Sequence, residues 1–276
     1  MPDLKLIHPI EAESAVDAWL DATDAILASN KSTMFNLVVG IHNPIALSDI
    51  DQLACHTVDV FLRAHSSLPL ITVANTIFPG GFYRDGGAQA VFEEYPETYA
   101  VSKTNWGTYA GRLFTKVQMR SETTSRIERV IRKLRQNAKG SRMKASYEAD
   151  VLETFDTEEI STYCAETDAG LGIGQPCLVH LSFKLHPDDT VSLTAIYRSQ
   201  YYVAKALGNF VGLAQLLAFV AAEADLKPGF LVCHATMAEI DLGKKGGRWS
   251  RQDVQNLVAK CRTIKSVDAT TVTSAL

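Results

Sequence analysis

The chain has 276 residues, of which 46% are hydrophobic and 21% charged, and its formal net charge is -4 at pH 7. This is ordinary globular composition and excludes a chain that is disordered throughout. The slightly acidic balance does not favour nucleic acid as a partner.

Cysteine usage and hydropathy place the chain in a reducing, aqueous compartment. The five cysteines are Cys55, Cys164, Cys177, Cys233 and Cys261. An odd number without a CxxC pair argues against a disulfide framework or a zinc ribbon, so we expect no metal. The N-terminus lacks a signal-peptide pattern, and the most apolar stretch, 206–222, is too short and too polar for a membrane span. We expect a cytoplasmic protein that does not enter a membrane.

The first hundred residues predict alternating helices and strands. Apolar spacing indicates a helix over 11–29, a buried strand over Phe35–Ile41, and a helix that Ser48 caps. Residues 68–77 fit a strand or a short buried helix. The segment 79–90 holds four glycines and a proline, which predicts a loop.

A basic segment follows in the middle of the chain. Residues 122–137 show the spacing of an amphipathic helix, and nine Lys or Arg residues lie between Arg120 and Lys144. They form either a solvated helix face or an anion site, most plausibly for phosphate. The acidic stretch 148–168 is read as a surface excursion.

The second half predicts a hairpin, a long helix, a strand and a final helix. A glycine loop at 170–174 leads to strands over 177–185 and 191–199, which the turn at 186–190 would pair as antiparallel neighbours. An apolar helix over 202–224, a strand after Pro228-Gly229 and a helix capped by Ser250 complete the chain. This order favours the α+β class, in one domain over 1–276.

Cys177 is the first candidate for chemistry. It follows the glycine loop and Pro176 at the entrance to a strand, where a thiol can be exposed; a purely structural cysteine is the alternative. The predicted hairpin brings Arg198 and Ser199 near it, and a guanidinium lowers the pKa of a neighbouring thiol. Asn209 lies inside the apolar helix, so its amide must find either a backbone contact or a ligand with a donor and an acceptor.

Five motifs, in the same order, resemble those of the thymidylate synthase family. They are WGTYAGRLF (106–114), the basic helix with its following segment (126–146), PCL (176–178), YRS with GNF (197–199 and 208–210), and DLKPG (225–229). The resemblance covers about residues 105–240, and residues 1–100 diverge from the family. It implies an α+β fold with a large mixed sheet packed by helices.

The resemblance also implies roles for individual residues. Cys177 matches the thiolate nucleophile that adds to C6 of a uridine monophosphate, and Arg198 matches the arginine that contacts both the phosphate and the thiol. The other matches are Ser199 to a phosphate-binding hydroxyl, Asn209 to the amide that reads uracil N3 and O4, Tyr109 to a pocket tyrosine near the base, and Arg142 to an arginine that reaches the neighbouring subunit's phosphate. The last match implies a homodimer.

Several positions depart from the family pattern. Leu178 and Tyr201 stand where the family has a histidine after the nucleophile and a folate-contacting aspartate. Glu239 and Asp241 replace its ribose-binding histidine and tyrosine, and can accept hydrogen bonds from sugar hydroxyls. The helix that carries the family's general-base glutamate has no match.

Three hypotheses follow. The first is a thymidylate-synthase-like methyl- or hydroxymethyltransferase that modifies C5 of a pyrimidine nucleotide through a Cys177 adduct, with 5,10-methylenetetrahydrofolate as the implied one-carbon donor. The second is a non-catalytic sensor or regulator that binds a pyrimidine nucleoside monophosphate. The third is a relative of the same fold with an unrelated ligand.

Overall fold

The computed structural model describes residues 6–102, 107–119, 122–140, 148–150, 176–243 and 249–273. The strands are β1 (His8–Ala12), β2 (Thr33–Ile41), β3 (Val117–Met119), β4 (Glu122–Thr124), β5 (Glu148–Asp150), β6 (Leu178–Leu185), β7 (Thr190–Tyr197), β8 (Gln200–Tyr201) and β9 (Lys227–Glu239). The α-helices are α1 (Ala15–Ala28), α2 (Asp49–Ala64), α3 (Leu70–Asn75), α4 (Gly80–Gln89), α5 (Tyr95–Ser102), α6 (Tyr109–Phe114), α7 (Arg126–Ala138), α8 (Leu207–Glu223) and α9 (Arg251–Thr273). Short 3₁₀ and π-helical turns cover Asn30–Ser32, Ala90–Glu94 and Tyr202–Ala206.

A mixed sheet organises these elements. In the described residues its strand order is β1-β2-β9-β7-β6-β5, with β8 pairing the end of β9. β1 pairs β2 in parallel and β7 pairs β9 in parallel, whereas β2–β9, β6–β7 and β5–β6 are antiparallel. A sheet of this kind, packed by helices, fits the predicted α+β class.

Helix α8 lies at the centre of the core. It packs on β7 and β9 and crosses α3 closely, because Gly208 and Gly212 present no side chain there. A Cβ atom at Gly212 would lie 2.7 Å from the carbonyl oxygen of Ala74. The continuous helical stretch Tyr202–Glu223 is long and apolar enough to span a membrane, but 78% of its most apolar window is buried inside the fold. Burial of this extent is typical of a core helix.

The opposite face of the sheet is only partly covered. On the central strands, side chains alternate between full burial under α8 and partial exposure, as Leu231 and Val232 of β9 do. Apolar side chains on the exposed side include Val38, Ile196 and Phe35, and Phe35 is 63% exposed. A sheet face of this composition offers a surface for another protein layer.

The predicted hairpin, the predicted strand over Phe35–Ile41 and the capped helices are confirmed. β6 and β7 pair as antiparallel neighbours. Ser48 caps α2, where it forms a reciprocal capping box with Asp51, and Ser250 accepts a hydrogen bond from the Asp253 backbone before α9. Residues 68–77 contain the short helix α3, one of the two alternatives.

Two boundaries and one loop were predicted wrongly. Residues 8–12 form β1, and α1 starts only after the cap at Ser14. Residues 122–124 form β4, because the capping box of α7 lies at Ser125 and not further upstream. The glycine-rich segment 79–90 is mostly helix α4, which absorbs one glycine in the left-handed region, Gly87 with φ +66°. The predicted glycine loop 170–174 and most of the acidic excursion, 151–168, lie outside the described residues.

Candidate functional site

Cys177 directly precedes β6, and one phenol fixes its backbone. The Tyr109 hydroxyl accepts hydrogen bonds from the N–H groups of Cys177, at 3.0 Å, and Leu178, at 3.3 Å. Burial raises the pKa of Tyr109 to about 12, so the phenol stays neutral at physiological pH. Tyr109 therefore positions the residue that carries the thiol, and is not itself a base.

The local sequence around Tyr109 explains how α6 places it. Thr108 caps the helix, because its hydroxyl accepts a hydrogen bond from the Gly111 N–H at 3.0 Å. Gly107 has φ +85°, which lets the chain turn sharply into the cap. Only glycine fits at position 111, because the Tyr99 ring occupies the space that a side chain would need. The ring carbon Cζ lies 2.1 Å from the place where a Cβ atom would be.

Arg198 contacts Cys177 through both its backbone and its side chain. β6 and β7 are antiparallel, and Leu178 lies opposite Tyr197. Cys177, which precedes Leu178, therefore lies next to Arg198, which follows Tyr197. The Arg198 N–H donates to the Cys177 carbonyl oxygen at 3.0 Å, and the guanidinium forms a hydrogen bond with the thiol. Thr236 of β9 holds the same turn by donating to the Arg198 carbonyl oxygen at 2.8 Å.

The thiol of Cys177 experiences two opposing effects. Burial raises its pKa, while the guanidinium of Arg198 and the ammonium of Lys205 lower it, and the balance lies above the ordinary value. Among the described cysteines it is the one whose thiol has a hydrogen-bonded cation. Burial raises the pKa of Cys55 to about 12 and that of Cys261 to about 11. Arg198 thus acts in the predicted direction, but burial outweighs it.

Lys205 is a member of this cluster that the sequence reasoning missed. It lies in the π-helical turn that leads into α8, and most of its surface is buried. Its ammonium is close enough to Cys177 and Asp241 for each to influence its pKa, which burial lowers overall. The available signal was its isolation, since Lys205 is the only charged residue between Tyr202 and Ala222.

The Asp241 carboxylate is buried against the backbone of the π-helical turn. Its carboxylate is 1% exposed and accepts hydrogen bonds from the backbone N–H groups of Val203, at 2.9 Å, and Ala204, at 3.2 Å. Both oxygens therefore accept hydrogen bonds from the start of the π-helical turn. Burial raises its pKa, and neighbouring Glu239 adds to the effect. Glu239 is opposite Tyr201 at the end of β9 and is 7% exposed.

The remaining predicted residues occupy three different settings. Ser199 lies partly exposed in the bend after Arg198, adjacent to the cluster. Asn209 lies in the first turn of α8, four residues after Lys205 and 5% exposed; within the described part of the chain its amide has no hydrogen-bond partner. Arg142 lies outside the described residues.

Two other features lie apart from this cluster. A cavity of about 340 Å³, lined by Phe78, Tyr83 and Phe219 among others, includes none of the predicted site residues. Over the residues that the structure describes, no group of three or more His, Cys, Asp or Glu side chains could hold a metal ion.

No model of a protein family matches the chain. Two proteins named "putative thymidylate synthase" are similar to it. The one from Methanothermobacter thermautotrophicus is 25% identical over 248 residues, which cover 85% of this chain and 94% of that protein. The one from Methanococcoides burtonii is 37% identical over 65 residues, only 24% of this chain and 30% of that protein. The chain is distantly related to these thymidylate-synthase-like proteins.

The described residues do not reproduce the folate contact that the family resemblance implies. The position of the implied aspartate holds Tyr201, whose neutral phenol has a pKa raised by burial and by the nearby Glu239 carboxylate. A phenol cannot replace the charged acceptor that a carboxylate offers. Position 201 therefore does not favour a folate over another one-carbon donor.

Proposed function

We propose that the protein is a transferase of nucleotide metabolism that attaches a one-carbon group to C5 of a uridine-type nucleoside monophosphate through an adduct of Cys177. The observation that carries this proposal is the pairing of Cys177 with Arg198, in which a guanidinium contacts a thiol whose backbone Tyr109 holds. A protein that only stored or sensed a nucleotide would not need a thiol in contact with a guanidinium. The distant relatives named putative thymidylate synthase support the same chemistry.

The proposed reaction begins with loss of the thiol proton. The Cys177 sulfur then bonds to C6 while the electrons of the C5–C6 double bond move toward C5 and O4. C5 bonds to an electrophilic one-carbon donor, whose leaving group departs with its electron pair. Loss of the C5 proton to a base restores the double bond and releases the Cys177 thiolate. Arg198 contributes to the first step by stabilising the thiolate.

Substrate recognition uses the residues around the thiol. We assign the phosphate to Arg198 and Ser199, which lie at the exposed end of β7, with Arg142 of a neighbouring subunit as the expected third contact. Asn209 is assigned to the base, because an amide offers a donor for O4 and an acceptor for N3–H of uracil. Its burial without a described partner supports this role. Glu239 remains the candidate for a sugar hydroxyl, whereas Asp241 is assigned to the fold.

We further propose a cytoplasmic homodimer that joins the partly exposed faces of two sheets. Phe35 is exposed on that face and Val38, Val232 and Ile196 are partly exposed, so a second sheet could cover apolar surface there. Analytical ultracentrifugation of the protein and of a Phe35→Lys variant tests this assembly. We expect a dimer that the variant weakens, and a wild-type monomer would contradict the proposal.

Intact-mass analysis tests the proposed function directly. The protein is incubated with UMP, dUMP, CMP or 5-fluoro-dUMP, each with and without methylenetetrahydrofolate. We expect a covalent complex with a uracil nucleotide that is absent from Cys177→Ser and retained in Cys55→Ser, a matched control at a thiol whose pKa burial raises to about 12. Absence of any adduct and any turnover with every combination would contradict the transferase.

A second candidate is a nucleotide-binding regulator without catalysis. The observation in its favour is that burial keeps the pKa of Cys177 above its ordinary value in the free protein. This candidate predicts that uracil nucleotides bind and protect Cys177 from iodoacetamide, but that no covalent complex forms. Calorimetry alongside the mass measurement distinguishes the two candidates.

A further inference from the structure

The cavity of about 340 Å³ lies at the junction of α3, α4 and α8, away from the Cys177 cluster. Helix α8 connects the two places. Asn209 lies in its first turn, and Phe219, which lines the cavity, lies about 15 Å further along the helix axis. The volume falls within the range of pockets that hold small organic molecules. The cavity is therefore a candidate site for a second ligand, separate from the nucleotide.

Three aromatic rings line the cavity and pack on one another. The ring centroids of Phe78 and Phe219 are 5.1 Å apart, and those of Tyr83 and Phe219 are also 5.1 Å apart, with the two rings edge to face at 86°. Phe78 and Tyr83 are 5.7 Å apart. Because the rings hold one another in place, this lining is formed before a ligand binds. Aromatic linings favour a flat ring, which stacks or packs edge-on against them.

The side chain of Gln215 brings an unsatisfied acceptor to the same cavity. Its carbonyl oxygen Oε1 is buried, and among the described residues it has no hydrogen-bond partner. This oxygen lies 3.4 Å from the place where a Cβ atom of Gly80 would be, and the Asn75 oxygen Oδ1 lies 3.7 Å from that place. A buried acceptor without a partner is unfavourable. A ligand that places an N–H group beside Gly80 would satisfy it.

Arg84 supplies a positive charge at the edge of the cavity. Its side chain is 76% exposed, and its nitrogen Nη2 lies 4.0 Å from the place where a Cβ atom of Gly81 would be. Among the described residues, the one carboxylate within reach is that of Asp85, and its distance of 4.0 Å from Nε is too long for a hydrogen bond. The guanidinium can therefore bind an anionic group of a ligand.

We propose that this cavity is a second ligand site, for a small heteroaromatic molecule that carries a ring N–H and an acidic side group. The ring packs against Phe78, Tyr83 and Phe219, the N–H donates to the Gln215 oxygen, and the acidic group binds Arg84. The two polar contacts lie beside consecutive residues at the start of α4, so a bicyclic ring with a short acidic arm spans them. The site is independent of the Cys177 chemistry.

Three probes of nearly equal shape test the proposal by isothermal titration calorimetry. Indole-3-acetate has both polar groups, benzofuran-3-acetate lacks the N–H, and indole-3-acetamide lacks the charge. We expect indole-3-acetate to bind with a Kd of about 0.1–1 mM, a value typical of a rigid molecule of this size. Each of the other two probes should bind about five- to tenfold more weakly, because each loses one polar contact.

Matched variants assign each contact to its residue. Gln215→Met should remove the preference for indole-3-acetate over benzofuran-3-acetate, and Arg84→Met the preference for the acetate over the acetamide. Gln252→Met and Arg63→Met change the same residue types at exposed positions outside the cavity and should keep the wild-type pattern. Cys177→Ser should also bind the probes as the wild type does, which separates this site from the nucleotide site.

Filling the cavity shows whether the probes bind there. Ala218 lines it at a partly exposed position, so Ala218→Trp should weaken indole-3-acetate binding more than tenfold while thermal unfolding remains cooperative. If that variant does not fold, Ala222→Trp, at an exposed lining position, takes its place with the same expected loss. No binding of indole-3-acetate at about 5 mM, equal affinity for the three probes, or wild-type affinity in a folded cavity-filling variant would each overturn the proposal.

Discussion

The hydroxyl of Tyr109 links the fold to the site, and Tyr109→Phe removes that single oxygen. The change leaves the buried ring in place but takes away the acceptor of two backbone N–H groups, those of Cys177 and Leu178. A typical hydrogen bond contributes about 0.5–1.5 kcal/mol, and a buried N–H left unsatisfied costs about 1–3 kcal/mol. Because Leu178 is fully buried, we expect a loss of about 2–3 kcal/mol in the free energy of unfolding.

Thermal and chemical unfolding measure this loss. About 2–4 °C per kcal/mol is expected for a chain of this size, so the melting temperature should fall by about 4–12 °C. Tyr83→Phe is the control, because its ring packs against Phe78 and Phe219 while its hydroxyl has no hydrogen bond to a described residue. That variant should melt within about 2 °C of the wild type. The same samples should show a changed rate of Cys177 alkylation only in Tyr109→Phe. Equal stability and equal alkylation of the wild type and Tyr109→Phe would refute the positioning role of the phenol.

Three further predictions concern packing, charge and base recognition. Gly111→Ala should destabilise the protein by about 2–3 kcal/mol in urea unfolding, since its Cβ would overlap the Tyr99 ring. Burial would raise the pKa of the Asp51 carboxyl, but hydrogen bonds from Lys265 and Ser48 lower it on balance. Because the pKa of Asp51 is lower in the folded than in the unfolded state, its ionised form stabilises the fold above pH of about 4, and this stabilisation is lost as the pH falls through the folded pKa. Lys265→Met should therefore cost about 2–4 kcal/mol of unfolding free energy at pH 7 and much less at pH 2. Asn209→Asp should shift calorimetric preference from UMP toward CMP, and an equal loss for both would make the amide structural.

The fold was predictable where local patterns and tertiary packing agree. The hairpin of β6 and β7 combines alternating apolar residues with a turn sequence, and the capped helices carry their own start signals. The prediction failed at 79–90, where composition indicates a loop. Four glycines weaken a helix, yet Phe78, Tyr83 and Phe219 pack their rings around this segment and outweigh that preference. β1 was missed because a short edge strand gains its stability from pairing with β2, which the sequence does not display.

Part of the candidate site could likewise be predicted from the sequence, and part depends on tertiary packing. Sequence order and the hairpin were sufficient to bring Arg198 to Cys177, because antiparallel pairing fixes which residues are opposite each other. The alignment assigned Asp241 to the sugar, and it gave no sign that the carboxylate accepts hydrogen bonds from the backbone of a turn thirty-eight residues earlier in the chain. Lys205 was missed because its relation to Cys177 arises from the path of β8 and the π-helical turn. No local pattern encodes that path.

Arg198 and Lys205 both lower the pKa of the Cys177 thiol, and their different exposure leads to one more expectation. The Arg198 side chain is exposed, so its guanidinium can contact a phosphate as well as the thiol, whereas Lys205 is partly buried and influences the thiol through its charge. A phosphate that takes part of the Arg198 charge weakens its effect on the thiol, and the thiolate then depends more on Lys205. Inorganic phosphate, which cannot form an adduct, separates the two cations. In the wild type, saturating phosphate should slow Cys177 alkylation at pH 7.5 by no more than about threefold, and in K205M the slowing should be larger. Equal slowing in both proteins would mean that Lys205 does not contribute to stabilising the Cys177 thiolate, and would assign that stabilisation to Arg198 alone.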